Sequence, residues 1–218
     1  MKTVAVVPIN KLTSTKSRLA AYLSEADRGD LVFWMASRVL TALRDSGVVD
    51  RIAVVSPDSL ILNWVKEQGL QPLFQAGDGL NAGLQLGRRW AADEVGAEAL
   101  LVLLGDLPCL TADEIARFLP RGASPRLMLA PDQFERGTNG IVLPLGVDVP
   151  FVFGEGSLQR YQDLGRKAGL PVELFRAPGL SFDVDTLAEL SLLLECGIWM
   201  PEDHNVLPAG AGSRSGGA

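Results

Sequence analysis

The chain has 218 residues, 47% of them hydrophobic, enough to bury a sizeable core and within the usual range of one domain. Twenty basic against 26 acidic residues leave a formal net charge of −6, which argues against an anionic-membrane surface and against long nucleic acids as partners. One histidine, His204, and two cysteines, Cys109 and Cys196, argue against a histidine-based triad, a disulfide framework and a zinc site; both thiols read as buried, and carboxylates, amines and backbone groups must carry any chemistry.

In chain order, MKTVAVVPIN offers only about five consecutive apolar residues, too few for a signal-peptide core or a membrane span, so a cytoplasmic location is expected. Thr3–Val7 predicts the first strand. Directly after it, PINKLTSTKSRLA carries Lys11, Lys16 and Arg18 among hydroxyl residues. Lysine supplies point charge, arginine a bidentate fork and free backbone N–H groups a cradle, so the segment reads either as a polyphosphate clamp or as a solvated basic turn. No G-x-x-x-x-G-K-[ST] occurs, which disfavours a P-loop. Ser24–Ser46 opens with a cap residue followed by Glu25 and Asp27, repeats apolar residues at helical spacing and meets Gly47 as a stop; Phe33 and Trp34 within it are assigned to the core.

Arg51–Val55, Ala99–Leu104 and Arg126–Ala130 predict further strands, continuous enough in Val and Leu to be covered on both faces. After a weaker strand at Gln71–Phe74, GDGLNAGLQLG matches G-x-G-x-x-A at Gly77, Gly79 and Ala82. A dinucleotide turn is one reading, but it would follow the first strand, and Glu98 precedes a strand rather than ending one. A plain glycine-rich turn into a helix is another. A third has the backbone at Gly79–Asn81 approach a purine, with the Asn81 amide free for hydrogen bonds.

LVLLGDLP reads as a buried strand that ends at Gly105 and presents Asp106 at its carboxyl end. Thr111 with Glu114, and Thr186 with Glu189, each fit a capping box. RGTNG reads as a turn leading into Ile141–Leu143, and FGEGS as a helix entry with Ser157 near the cap. In FDVDT, an extended backbone turns Asp183 and Asp185 to one side and Val184 to the other. Three carboxylates at loop positions suit Mg²⁺, which takes oxygen ligands from one or two carboxylates, water and substrate phosphates. The plainer alternatives make Asp106 a turn or helix-entry residue and Asp185 an N-cap. The recurring order of strand, loop and helix implies a single α/β domain with a mostly parallel sheet flanked by helices, and such sheets bind ligands beyond the carboxyl ends of their strands. The domain is expected over residues 1–200, with 201–218, ending in PAGAGSRSGGA, as a flexible tail.

Taken together and in order, PINKLTSTKSRL, GLNAGL, LLGDLPCL, RGTNGIVLP, FGEGS and FDVDT resemble the motifs of the CofC/FbiD family of phospho-acid guanylyltransferases, over most of residues 1–196. That resemblance implies a nucleotide-diphospho-sugar transferase-like fold. It also implies transfer of GMP from GTP to a small phosphorylated acid (2-phospholactate, phosphoenolpyruvate or 3-phosphoglycerate), with release of pyrophosphate, in coenzyme F-420 synthesis. Asp106, Asp183 and Asp185 would then hold Mg²⁺. Lys16 and Arg18, with Lys11 in the same basic loop, would serve the GTP phosphates, and Leu80 and Asn81 the guanine side. Thr138, Gly154 and Ser157 would line the acceptor pocket, with Arg136 a further candidate for acceptor charge. Asn10–Thr15 departs from the small-residue stretch that often precedes K-S-R-L in the family, and the chain from Trp199 onward has no counterpart there. Two alternatives stay open at this stage: another nucleotidyltransferase, acting on molybdopterin or a sugar, and a nucleotide-binding regulatory module without turnover.

Overall fold

The computed structural model describes residues 1–12, 16–77, 79–120 and 124–199; the expected tail at 201–218, and His204 within it, lie outside the described residues. Strands β1 (Thr3–Pro8), β2 (Arg51–Ser56), β3 (Gln71–Phe74), β4 (Ala99–Leu103), β5 (Leu127–Pro131), β6 (Thr138–Pro144) and β7 (Val172–Leu174) form one sheet in the order β3-β2-β1-β4-β6-β5-β7. β1–β2, β1–β4, β2–β3 and β5–β7 are parallel, while β6 runs antiparallel to both β4 and β5. The sheet is therefore mostly parallel, as the Val- and Leu-rich runs predict.

The antiparallel strand was not foreseen, and its cause is local. Asp132 closes a short β5–β6 connection by accepting from Arg136 N and Gly137 N, each at 2.9 Å, while Glu135 takes a positive φ of 54°. Short-range side-chain bonds of this kind make a tight return possible. Consequently the strand starts at Thr138, three residues before the apolar run that was expected to begin it.

Alternation along β1 splits the core between two layers. Ala5 and Val7 face a cluster built with α1 (Glu25–Ser46), α2 (Ser59–Glu67), α4 (Ala112–Phe118), α6 (Pro178–Ser181) and α7 (Leu187–Glu195). Val4 and Val6 face one built with α3 (Leu80–Arg89) and α5 (Ser157–Lys167). Each buried Val or Leu contributes about 1.5–3 kcal/mol of transfer free energy. α3 lies close on the sheet because Gly83 and Gly87 share one face; a Cβ on Gly87 would stand 2.7 Å from Val6 Cγ1. Phe33 is buried, with Trp34 packed at the edge of the same layer. Both thiols correct the sequence reading: Cys109 is only half-buried, and Cys196, at the C-cap of α7, is exposed.

Connections from β1 run to β2 and β3 on one side and to β4 on the other. The chain thus reverses direction across the sheet between β1 and β4, and such switch points open a crevice beyond the strands' carboxyl ends.

Candidate active site

At that crevice lies a cavity of about 360 Å³, lined by Pro8 and Ile9 from the end of β1, by Gly105 and Asp106 after β4, by Lys16, Ser17 and Arg18, and by Leu80 and Asp185. Gly105 is needed for the two strand ends to meet: a Cβ there would stand 3.2 Å from Pro8 O. The capping boxes decide what the aspartates are free to do. Helix α4 is capped by Thr111 and Glu114, and α7 by Thr186 and Glu189, so Asp106 and Asp185 cap nothing. Asp185 is left one residue before the N-cap Thr186, with the neighbouring Val184 fully buried as the extended reading of FDVDT requires.

What these carboxylates meet instead is Lys16. Its Nζ lies 2.6 Å from Asp106 Oδ2 and 2.7 Å from Asp185 Oδ1, and its side chain is only 7% exposed. Burial works to lower the Lys16 pKa, but the two carboxylates outweigh it and hold the ammonium above the ordinary lysine range. Arg18 stands further out, 73% exposed and 4.0 Å from Asp185 Oδ2. Asp183 is held separately: Asn139 Nδ2 donates to its Oδ1 and to Leu180 O, both at 3.1 Å. Burial first, then the charge of Asp106, push the Asp183 carboxyl up to about 6. Asp106 Oδ1 is buried without a hydrogen-bond partner among the described residues.

The three aspartates thus gather at one place without forming a ready cage. Among the described residues, no group of three His, Cys, Asp or Glu side chains could hold a metal ion as it stands. Lys16 bridges two of the carboxylates, and the third is engaged by Asn139.

The other predicted residues assemble at the start of α5. Ser157 Oγ donates to Thr138 Oγ1 at 3.1 Å, with both residues buried. Gly154 and Gly156 take positive φ values of 116° and 69°, turning the chain into the helix. Arg160, not anticipated from sequence, straps that turn by donating to Glu155 O at 2.6 Å and Val152 O at 2.9 Å. Leu80 lines the cavity, but Asn81 is not free as expected: its amide accepts from Phe153 N at 2.9 Å and donates to Phe153 O at 3.3 Å. The glycine-rich segment is accordingly a turn into α3 whose first polar side chain ties that helix to the 151–156 loop. Lys11 is exposed and lies outside the cavity lining, and Arg136 is exposed on the β5–β6 turn.

Asn139 is the other residue that sequence reasoning passed over, although it stood inside RGTNG. Successive side chains of a strand point to opposite faces. Thr138 therefore turns to Ser157 and Asn139 to Asp183, while Asn139 O accepts from Leu104 N at 3.0 Å, just before Gly105. A polar pair buried in a strand is the signal that could have singled it out.

Comparison with known proteins places these features in context. A family model described as "Guanylyl transferase CofC like" matches residues 3–198. A phosphoenolpyruvate guanylyltransferase of Sphaerobacter thermophilus is 43% identical over 193 residues, covering 88% of this chain and 93% of that protein. A 2-phospho-L-lactate guanylyltransferase of Methanothermobacter thermautotrophicus is 29% identical over 196 residues, covering 89% and 85%. Among solved structures, one from Desulfovibrio desulfuricans G20 assigned as a nucleotide-diphospho-sugar transferase superposes with a TM-score of 0.73 at 17% identity, over 90% of this chain and 88% of that one. That likeness bears on the fold.

Proposed function

This chain belongs to the CofC-like guanylyl transferase family, and from that premise we propose that it transfers GMP from GTP to phosphoenolpyruvate, releasing pyrophosphate, with Mg²⁺ as cofactor and in the service of coenzyme F-420 synthesis. The observation that carries the acceptor assignment is the 43% identity to a phosphoenolpyruvate guanylyltransferase along nearly the whole of both chains. Relatives at 39% and 37% identity bear the same name, and a 2-phospho-L-lactate guanylyltransferase stands at 29%. 2-Phospho-L-lactate and 3-phosphoglycerate are the acceptors to test beside it.

In this reading an oxygen of the acceptor's phosphate attacks the α-phosphorus of GTP. A new bond forms from that oxygen to the α-phosphorus, the bond from the α-phosphorus to the α–β bridging oxygen breaks, and its electron pair leaves with pyrophosphate. An ionised phosphate is already a nucleophile, so the residues need only position the reactants and stabilise charge. Lys16 and Arg18 supply cationic charge to the polyphosphate; Lys11, exposed outside the cavity, is at most a peripheral contributor. Leu80 borders the nucleotide, while Asn81 acts by holding the 151–156 loop rather than by reading the base. Thr138, Ser157 and the backbone at Gly154 receive the acceptor, at a helix start where N–H groups favour anions.

Asp106, Asp183 and Asp185 would hold Mg²⁺, which supplies Lewis-acid stabilisation of the phosphoryl oxygens. The donor set fits that ion. All three are hard oxygen ligands, Asp106 Oδ1 is buried and unpartnered among the described residues, and Mg²⁺ ordinarily shares its coordination between one or two carboxylates, water and phosphates.

Purified protein with Mg²⁺ should release pyrophosphate only when GTP and the correct acid are both present, with the coupled product identified by mass. Turnover with CTP or a sugar phosphate instead would favour another nucleotidyltransferase, and tight GTP binding without turnover a regulatory module.

A further inference from the structure

We propose that the Lys16 ammonium and a divalent cation compete for the same two oxygens, Asp106 Oδ2 and Asp185 Oδ1, so that Lys16 is an exchangeable internal counter-ion that moves to the nucleotide's polyphosphate when a cation takes its place. The inference rests on the reading of this cluster as a Mg²⁺ and GTP site, and it adds an order of events to it.

One nitrogen sits 2.6 and 2.7 Å from oxygens contributed by segments 79 residues apart in sequence, the loops after β4 and before α7 (Asp106 and Asp185). A divalent cation that takes either of those oxygens must take it from the ammonium that now donates to it. Two positive centres a few ångströms apart in a half-buried site repel strongly. Exchange would be a movement of the side chain, since both of its partners are the carboxylates a cation would take.

The geometry offers such a movement. Lys16, Ser17 and Arg18 line the same cavity as Asp106 and Asp185, so a rotation of the lysine stem carries Nζ from the carboxylates into space a triphosphate would fill. Lys16 also has φ 49° and ψ 45°, a left-handed conformation unfavourable for a side-chain-bearing residue and kept here together with the double ion pair. Arg18 is no substitute counter-ion: it is mostly exposed and reaches only Asp185 at 4.0 Å.

Competition of this kind couples the two ligands. The cation expels Lys16 towards the phosphates, the phosphates draw Lys16 away from the carboxylates, and by linkage each raises the affinity of the other by the same factor.

The test is a titration with Mn²⁺, which shares the oxygen-ligand preference of Mg²⁺, followed by electron paramagnetic resonance of the free ion. Wild type, Lys16→Met and Asp106→Asn would each be titrated with and without GTP and without an acceptor. Lys16→Met should bind Mn²⁺ alone about tenfold more tightly than wild type, a coupling of ordinary size, and should lose most of the enhancement that GTP gives wild type. If Lys16→Met binds Mn²⁺ no better than wild type while Asp106→Asn abolishes binding, the ion sits beside Lys16 and the exchange is refuted, though the metal reading stands. If Asp106→Asn leaves Mn²⁺ affinity unchanged, the metal reading itself fails. A second measurement needs no variant: Mn²⁺ should speed acylation of Lys16 by an amine-selective reagent in the wild-type protein, mapped by mass spectrometry, and an unchanged rate would overturn the exchange.

Discussion

The two poles of the candidate site solve the problem of buried polarity in opposite ways. Around Asp106 and Asp185 the groups are charged, come from segments far apart in sequence, and are held by a lysine that belongs to neither. Around Thr138 and Ser157 they are neutral hydroxyls that satisfy each other at 3.1 Å beneath a glycine turn. A charged cluster gains strongly from an incoming ion or phosphate, whereas a self-satisfied hydroxyl pair must exchange one hydrogen bond for another. The charged pole is thus suited to supply the driving force for chemistry and the neutral pole to supply selectivity among small acids.

The largest expected effect breaks the charged pole. Asp106→Asn should lower turnover by about a hundredfold or more while the thermal melt stays close to wild type, as loss of one strong electrostatic group at a reacting centre does elsewhere. Near-normal pyrophosphate release from that variant would remove Asp106 from the mechanism. Next comes the hydroxyl pair. Ser157→Ala should raise the acceptor KM about tenfold, equivalent to about 1.4 kcal/mol of binding. It should also cost about 1–3 kcal/mol of stability in denaturant titration, because Thr138 keeps a buried hydroxyl without its partner. Adding Thr138→Val should restore much of the stability but none of the KM, and parallel recovery of both would mean that the pair is only structural. Asn81→Ala should act more weakly: a stability loss of about 1–2 kcal/mol from two hydrogen bonds to Phe153, with a several-fold rise in acceptor KM and kcat little changed. The smallest effect on turnover belongs to Gly87→Ala. Crowding Val6 should cost about 1–3 kcal/mol in unfolding experiments yet leave kcat and KM alone, since neither pole lies along that contact.

How far sequence reaches differs between the same two poles. The loop positions of Asp106, Asp183 and Asp185 were legible from their neighbours: the first follows Gly105 beyond the end of β4, and the others precede the capping box of α7. The strands of the parallel half were legible for a related reason, since burial on both faces leaves an unbroken apolar run. β6 was misread at its start because Thr138 and Asn139 interrupt that run, and only pairing to β4 and β5, together with side-chain partners on both faces, makes them strand. The placement of Lys16 between two carboxylates was not legible at all. Its loop announces positive charge, but which anion meets that charge is decided by contacts across 90 and 169 residues. The engagement of the Asn81 amide was illegible for the same reason, its partner Phe153 lying 72 residues away.

That separation of 169 residues has a consequence for how the enzyme comes into being. Joining distant parts of a chain requires closing a long loop against its entropy, and folds dominated by such contacts acquire them slowly. The sheet can pair β1 with β2 and β4 long before Asp185 arrives, so the charged pole is among the last features to form during refolding. Recovery of turnover should therefore trail recovery of helical and sheet signal, making activity a clock for the closing step of folding.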